Sequence, residues 1–131
     1  MKILIAEDDF LGRRLMQLYL SEYGTCDVAV TGVEAVELFK QGVEEGRPYD
    51  LVCLDIMMPQ MDGHAVLKTI RDYERLAGIR DHGGVKIIMT TALDDFENIK
   101  NAFTQQCEAY LVKPIEKEKI RETLKELHLI G

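Results

Sequence analysis

A doubly wound α/β fold, a parallel sheet carrying helices on both faces, is what the 131-residue sequence predicts. Three observations predict it. Short β-branched runs alternate strictly with amphipathic stretches. They fall into five strand and helix pairs, and each parallel crossover needs a connecting helix, almost always right-handed. The runs LVCL and VKIIM are apolar nearly throughout, as in strands covered on both sides.

Taken in order, the first strand runs from Lys2 to Ala6, and Leu11, Leu15, Leu18 and Tyr19 then mark a helical stripe. The second strand, Cys26 to Val30, leads to a helix carrying Val36, Phe39 and Val43. A crossover helix must join the third strand, Asp50 to Leu54, to the fourth, Val85 to Thr90. Phe96, Ile99 and Phe103 mark the next helix, Ala109 to Val112 the fifth strand, and Ile120, Leu124 and Leu127 the last helix. Breaks fall at Gly42 through Pro48 and at Gly78 through Gly84, whose Gly, Pro and charge clusters read as loops. Without a repeat, a low-complexity tract or a linker, residues 1–131 are expected to form a single domain with no output domain.

A composition 47% apolar and 30% charged is ordinary for a globular protein, and no apolar run approaches the ~18 residues of a membrane span. The opening apolar stretch is too short for a signal peptide and meets Glu7, Asp8 and Asp9, so a cytoplasmic location is expected. Cys26, Cys53 and Cys107 are odd in number, widely spaced and without a C-x-x-C pair; Cys53 reads as a small buried hydrophobe. His64, His82 and His128 have no metal-ligand spacing and read as surface or loop residues. A formal charge of −7 argues against nucleic acid as a direct partner, since such binding draws its affinity largely from Lys and Arg on phosphates.

Ligands of open parallel sheets bind beyond the carboxyl ends of the strands. The first strand exits into Glu7-Asp8-Asp9, the third into Asp55, the fourth into Thr91-Ala92 and the fifth into Lys113-Pro114. Any one of these alone is an ordinary solvated loop residue. Together they bring acids, a hydroxyl and an amine to one rim, where gathered carboxylates repel unless a cation is present. All-oxygen ligands select a hard cation such as Mg²⁺, which keeps several waters and shares phosphate oxygens. A carboxylate can also attack phosphorus to give an aspartyl phosphate, with the metal, the Lys and the hydroxyl neutralising the phosphoryl oxygens.

The segment Asp55-Ile56-Met57-Met58-Pro59-Gln60-Met61-Asp62-Gly63 closely resembles the phosphoacceptor motif of response regulator receiver domains, the chemotaxis-receiver-like switches of two-component signalling. The likeness covers essentially the whole chain. It implies a flavodoxin-like (βα)5 sheet of order 2-1-3-4-5 and phosphorylation on Asp55. Mg²⁺, or Mn²⁺ in its place, would be held by Asp8 directly, by Glu7 through water, by Asp55 and by the Met57 carbonyl. Pro59 and Gly63 would shape the loop. Thr91 matches the switch hydroxyl, with Thr90 facing the sheet packing, and Lys113, twenty-two positions on, matches the phosphate-pairing lysine. Tyr110 matches the aromatic switch position. Asp9 reads as a helix cap.

The resemblance further implies a sensor histidine kinase or phosphotransfer protein as phosphohistidine donor, docking near the first helix and the Lys113 loop. A downstream protein target would read the face of the fourth helix, fifth strand and fifth helix, with Phe96, Phe103, Tyr110 and Ile115 as candidates. The chain would be a monomer or a phosphorylation-dependent homodimer, and not a conventional enzyme, since it catalyses its own phosphorylation and dephosphorylation. Met57 and Leu93, two positions after Asp55 and Thr91, cannot orient a water, so slow self-hydrolysis is expected.

Three rival readings compete with this one. A phosphatase of the haloacid dehalogenase type needs an acid two positions after the nucleophile, where this chain has Met57. A flavodoxin-like cofactor binder shares the fold, but Glu7, Asp8 and Asp9 would repel its phosphate. The alternative that stays is a pseudo-receiver acting only through protein contacts.

Overall fold

The computed structural model describes residues 1–79, 84–92 and 106–131. Five strands, β1 (Lys2–Ala6), β2 (Thr25–Ala29), β3 (Leu51–Asp55), β4 (Lys86–Thr91) and β5 (Ala109–Val112), form one sheet of order β2-β1-β3-β4-β5. Every pairing is parallel. Among the described residues there are four helices: α1 (Phe10–Leu20), α2 (Gly32–Glu44), α3 (Gly63–Leu76) and a C-terminal helix (Lys117–Glu126). The expected helix of Phe96, Ile99 and Phe103 lies outside the described residues, as do Leu93 and His82.

Each strand sends alternate side chains to two cores, as a period of two requires. Leu4, Ala6, Val52, Leu54, Ile87 and Met89 pack with Phe39 of α2 and with Val66, Leu67 and Ile70 of α3. Ile3, Ile5, Leu51, Cys53 and Ile88 pack with Met16 and Leu20 of α1 and with Ile120 and Leu124 of the C-terminal helix. The helices that follow β1 and β3, α1 and α3, therefore leave the sheet on opposite faces. The loops diverge there and open a crevice at the switch point of the strand order.

Side-chain caps start three of the helices. Asp9 accepts from the Gly12 N–H at 2.8 Å, Thr31 from Glu34 at 3.1 Å and Asp62 from Ala65 at 3.0 Å, each satisfying an amide with no partner in its own helix. The loop before α3 returns tightly over β3. A Cβ on Gly63 would stand 2.7 Å from the Asp55 carbonyl oxygen, so the close approach requires glycine.

Several readings of the sequence are corrected. The Leu11, Leu15 and Leu18 stripe of α1 faces solvent, at 71%, 45% and 67% exposure, and only Tyr19 of the four joins the core, beside Met16 and Leu20. This helix is apolar on two sides, and periodicity alone does not say which side the sheet takes. Gly42 does not break α2. The helix runs on to Glu44, and Gly42 lets the chain turn back, its carbonyl accepting the Arg47 N–H at 2.8 Å. His64, expected on the surface or in a loop, is half-buried in α3. The strands β3 and β4 end one residue later than expected, so Asp55 and Thr91 are their final residues.

A buried ion network at the opposite, amino edge of the sheet has no counterpart in the sequence reading. Arg71 Nη1 donates to Glu74 Oε1 at 2.7 Å and to the Val85 carbonyl at 2.8 Å, Nη2 to Glu108 at 3.0 Å, and Nε to the Gln106 carbonyl at 2.8 Å. Glu74 and Glu108 in turn accept the Val85 and Ile87 N–H groups at 2.7 and 2.6 Å. An Arg and a Glu three apart look like any surface pair on a helix, yet here both are buried.

Candidate functional site

The strands hold the site because the ladders of β1, β3 and β5 continue one residue beyond each strand's end. Glu7 N–H donates to the Ala29 carbonyl at 3.1 Å, Ile56 N–H to Thr90 at 3.1 Å and Lys113 N–H to Thr91 at 2.7 Å. Asp55 pairs in register with Thr90, and Thr91 with Val112. The ends of β1, β3, β4 and β5 thus form one rim, with the β1 and β3 ends at the crevice.

On that rim Glu7, Asp8 and Asp55 each present a carboxylate oxygen within 4.8 Å of the others. Glu7 and Asp55 are buried, at 3% exposure each, while Asp8 is exposed. Lys113 Nζ donates to Glu7 Oε1 at 2.7 Å and lies 3.4 Å from Asp55 Oδ2. The Met57 N–H donates to Asp55 Oδ1 at 3.2 Å.

This geometry moves the titrations apart. Burial first, and then the hydrogen bond and charge of Glu7, push Asp55 up to about 7 against the opposing pull of Lys113 and of the Met57 amide. Burial also pushes Glu7 up, but the hydrogen bond with Asp55 and the Lys113 ammonium outweigh it and hold Glu7 below its ordinary value. Lys113 is raised: burial works against its charge, and the two carboxylates more than compensate.

The donor set suits a hard divalent cation. It offers oxygen alone, without His or Cys, and brings three carboxylates together beside the single ammonium of Lys113. A group of three carboxylates with one lysine can bind such a cation, and Asp55 can act as an oxygen nucleophile toward an electrophile delivered from the crevice mouth.

The other sequence-derived residues are accounted for as follows. Asp9 caps α1 and turns its carboxylate to Gly12. Thr91 is fully buried at the rim, its hydroxyl donating to the Ala92 carbonyl at 3.2 Å, and Thr90 is buried in the sheet. Tyr110 is half-buried on the α2 and α3 face, hydrogen-bonded with Cys107, whose thiol burial pushes up to about 11. Cys53 is a buried thiol pushed up to about 12 by desolvation, and the three cysteines form no disulfide. Among the described residues no helix is long and apolar enough to cross a membrane.

Residues 3–125 match the family model of the response regulator receiver domain. The chain is 33% identical over 125 residues to the chemotaxis protein CheY of Treponema pallidum, covering 94% of this chain and 79% of that protein. The CheX–CheY–BeF3–Mg complex from Borrelia burgdorferi superposes with a TM-score of 0.78 at 28% identity, covering 98% of this chain and 89% of that one. The receiver domain of Ssk1 from Saccharomyces cerevisiae, crystallised with the histidine phosphotransfer protein Ypd1, gives a TM-score of 0.82 at 26% identity, covering 96% and 87%. Other relatives are far longer: the chain spans 7% of hybrid signal transduction histidine kinase B of Dictyostelium discoideum, at 33% identity.

Proposed function

This chain belongs to the response regulator receiver domain family, and from that premise we propose that it is a phosphoacceptor switch in which Asp55 takes the phosphoryl group. The observation that carries the proposal is the meeting of the Glu7, Asp8 and Asp55 carboxylates within 4.8 Å, beside Lys113, at the switch point of the sheet.

An oxygen of Asp55 attacks phosphorus of a phosphohistidine, the P–N bond breaks, and its electron pair stays on the imidazole nitrogen. The product on this chain is an acyl phosphate carrying about two negative charges. Lys113, which bridges Glu7 and Asp55, is within reach to pair with the new anion. A Mg²⁺ ion, or Mn²⁺ in its place, would be held by Glu7, Asp8, Asp55 and the Met57 carbonyl and would supply neutralisation of the phosphoryl oxygens. The Mg in the Borrelia complex supports this by likeness.

Thr91 would shift toward the phosphoryl group and Tyr110 turn inward, repacking the face of β5 and the C-terminal helix that includes Ile115. This is a population shift, driven by the difference in phosphoryl interaction between two packings. A downstream target reads that face. The chain itself is a switch and not a conventional enzyme.

The donor is a sensor histidine kinase or a phosphotransfer protein, in keeping with the Ypd1 complex of the yeast relative. Phe10, Leu11, Leu15 and Leu18, exposed on α1 directly after the site acids, support docking there. The work is done in the cytoplasm. Because Met57 cannot orient a water, the acyl phosphate hydrolyses slowly; a lifetime of only seconds would contradict this last point.

Incubation with Mg²⁺ and acetyl phosphate, followed by intact mass, tests the proposal. The wild-type chain gains one phosphoryl group and Asp55→Asn does not. A wild-type chain that gains nothing overturns the reading in favour of a pseudo-receiver that acts through protein contacts alone.

A further inference from the structure

Three consecutive acids leave β1, and their fates differ. Asp9 turns away to cap α1, whereas Glu7 and Asp8 carry their carboxylates to the rim with Asp55. The backbone between them is gripped by one side chain from the first turn of α1. Arg13 Nη1 donates to the Glu7 carbonyl at 3.1 Å and to the Asp8 carbonyl at 3.3 Å. Its guanidinium carbon lies 5.6 Å from the centre of the Phe10 ring, within cation–π range.

Those two carbonyls belong to the peptide planes on either side of the Asp8 Cα. Binding both fixes φ and ψ of Asp8 together, and so the direction in which its Cβ leaves the chain. Asp8 is exposed and begins a loop, a place where the backbone would otherwise be free to turn. Glu7, by contrast, is already held by Lys113.

We propose that Arg13 is a positioning residue for the cation site, setting the backbone of Asp8 so that its carboxylate joins those of Glu7 and Asp55. The inference rests on the reading of that cluster as a divalent-cation site. It has a sign that simple electrostatics does not share. Removing a positive charge beside a cation site should strengthen cation binding, whereas releasing Asp8 should weaken it.

Calorimetric titration of Mg²⁺ into the unphosphorylated chain separates the two. Arg13→Met and Arg13→Gln are expected to bind Mg²⁺ about tenfold more weakly than wild type, the effect of removing a group that orients a metal ligand. Arg13→Lys, whose ammonium can donate to both carbonyls, should recover most of the loss. Metal-free melting of the same variants shows whether each is folded, and two neutral variants guard against one that is not. Binding equal to or tighter than wild type in the folded neutral variants overturns the inference, leaving the phosphoacceptor reading intact. A wild-type chain that binds no Mg²⁺ overturns both.

Discussion

The Lys113 ammonium sits 2.7 Å from Glu7 Oε1, a contact between residues 106 positions apart in the sequence. It is 3.4 Å from Asp55 as well, so among the described residues one ammonium answers two buried carboxylates, with Asp8 close by. The resulting excess of carboxylates over ammonium sets the chemistry of the site.

One consequence concerns pH and stability without metal. Asp55 is pushed from an ordinary 3.8 up to about 7, so its ionised form is disfavoured in the folded state. Folding is therefore penalised increasingly as pH rises from about 4 to 7, and the penalty levels off above that. Asp55→Asn escapes it. In thermal melts in EDTA the variant should match wild type near pH 4 and exceed it by roughly 5 °C at pH 8, on the order of 1–2 kcal/mol. Added Mg²⁺ should narrow the gap. A gap independent of pH would show that Asp55 carries no such burden.

Lys113→Met removes the ammonium from both carboxylates. In stopped-flow or mass-resolved kinetics with acetyl phosphate, the rate of phosphorylation should fall about 100-fold, the scale seen when one charge-stabilising donor is lost from a reacting centre. Metal-free stability at pH 7 should fall too, because Glu7 and Asp55 lose their counter-charge.

The exposed α1 leucines give a prediction that separates docking from chemistry. Leu11→Glu and Leu15→Glu lie on the solvent face and should change stability by less than about 0.5 kcal/mol. Labelling by acetyl phosphate should be unaffected. Transfer from a phosphohistidine protein should show a KM raised about tenfold or more, and equal slowing with both donors would argue against docking on this helix.

At the far edge of the sheet, Arg71→Met leaves Glu74 buried without its charge partner. Breaking a buried pair on one side costs about 3–5 kcal/mol, and urea unfolding should show it. The double change Arg71→Met with Glu74→Gln should recover part of that loss, since the charge then left without the guanidinium is that of the less buried Glu108.

The doubly wound parallel sheet and the gathering of Glu7, Asp8, Asp55, Thr91 and Lys113 on one rim were legible in the sequence, because parallel strands and their exits obey simple rules, whereas the strand order came only with the family resemblance. The α1 stripe was not. Leu11, Leu15 and Leu18 have ideal helical spacing, but so do Met16 and Leu20, and only the sheet decides which set is covered. The Arg71 network was invisible for a different reason. Its partners at Val85, Ile87 and Gln106 are backbone groups distant in sequence, and a backbone group carries no residue signature. The grip of Arg13 on two carbonyls likewise involves backbone groups and needed coordinates.

The most direct test locates the phosphoryl group itself. After labelling with acetyl phosphate and Mg²⁺, reduction with borohydride converts an aspartyl phosphate to homoserine, which peptide mass spectrometry can place. Homoserine is expected at position 55, and is expected to be lost when Mg²⁺ is replaced by EDTA. Reduction at Asp8 or Asp9 instead, or a label on Thr90 or Thr91 that resists borohydride, would contradict phosphorylation at Asp55.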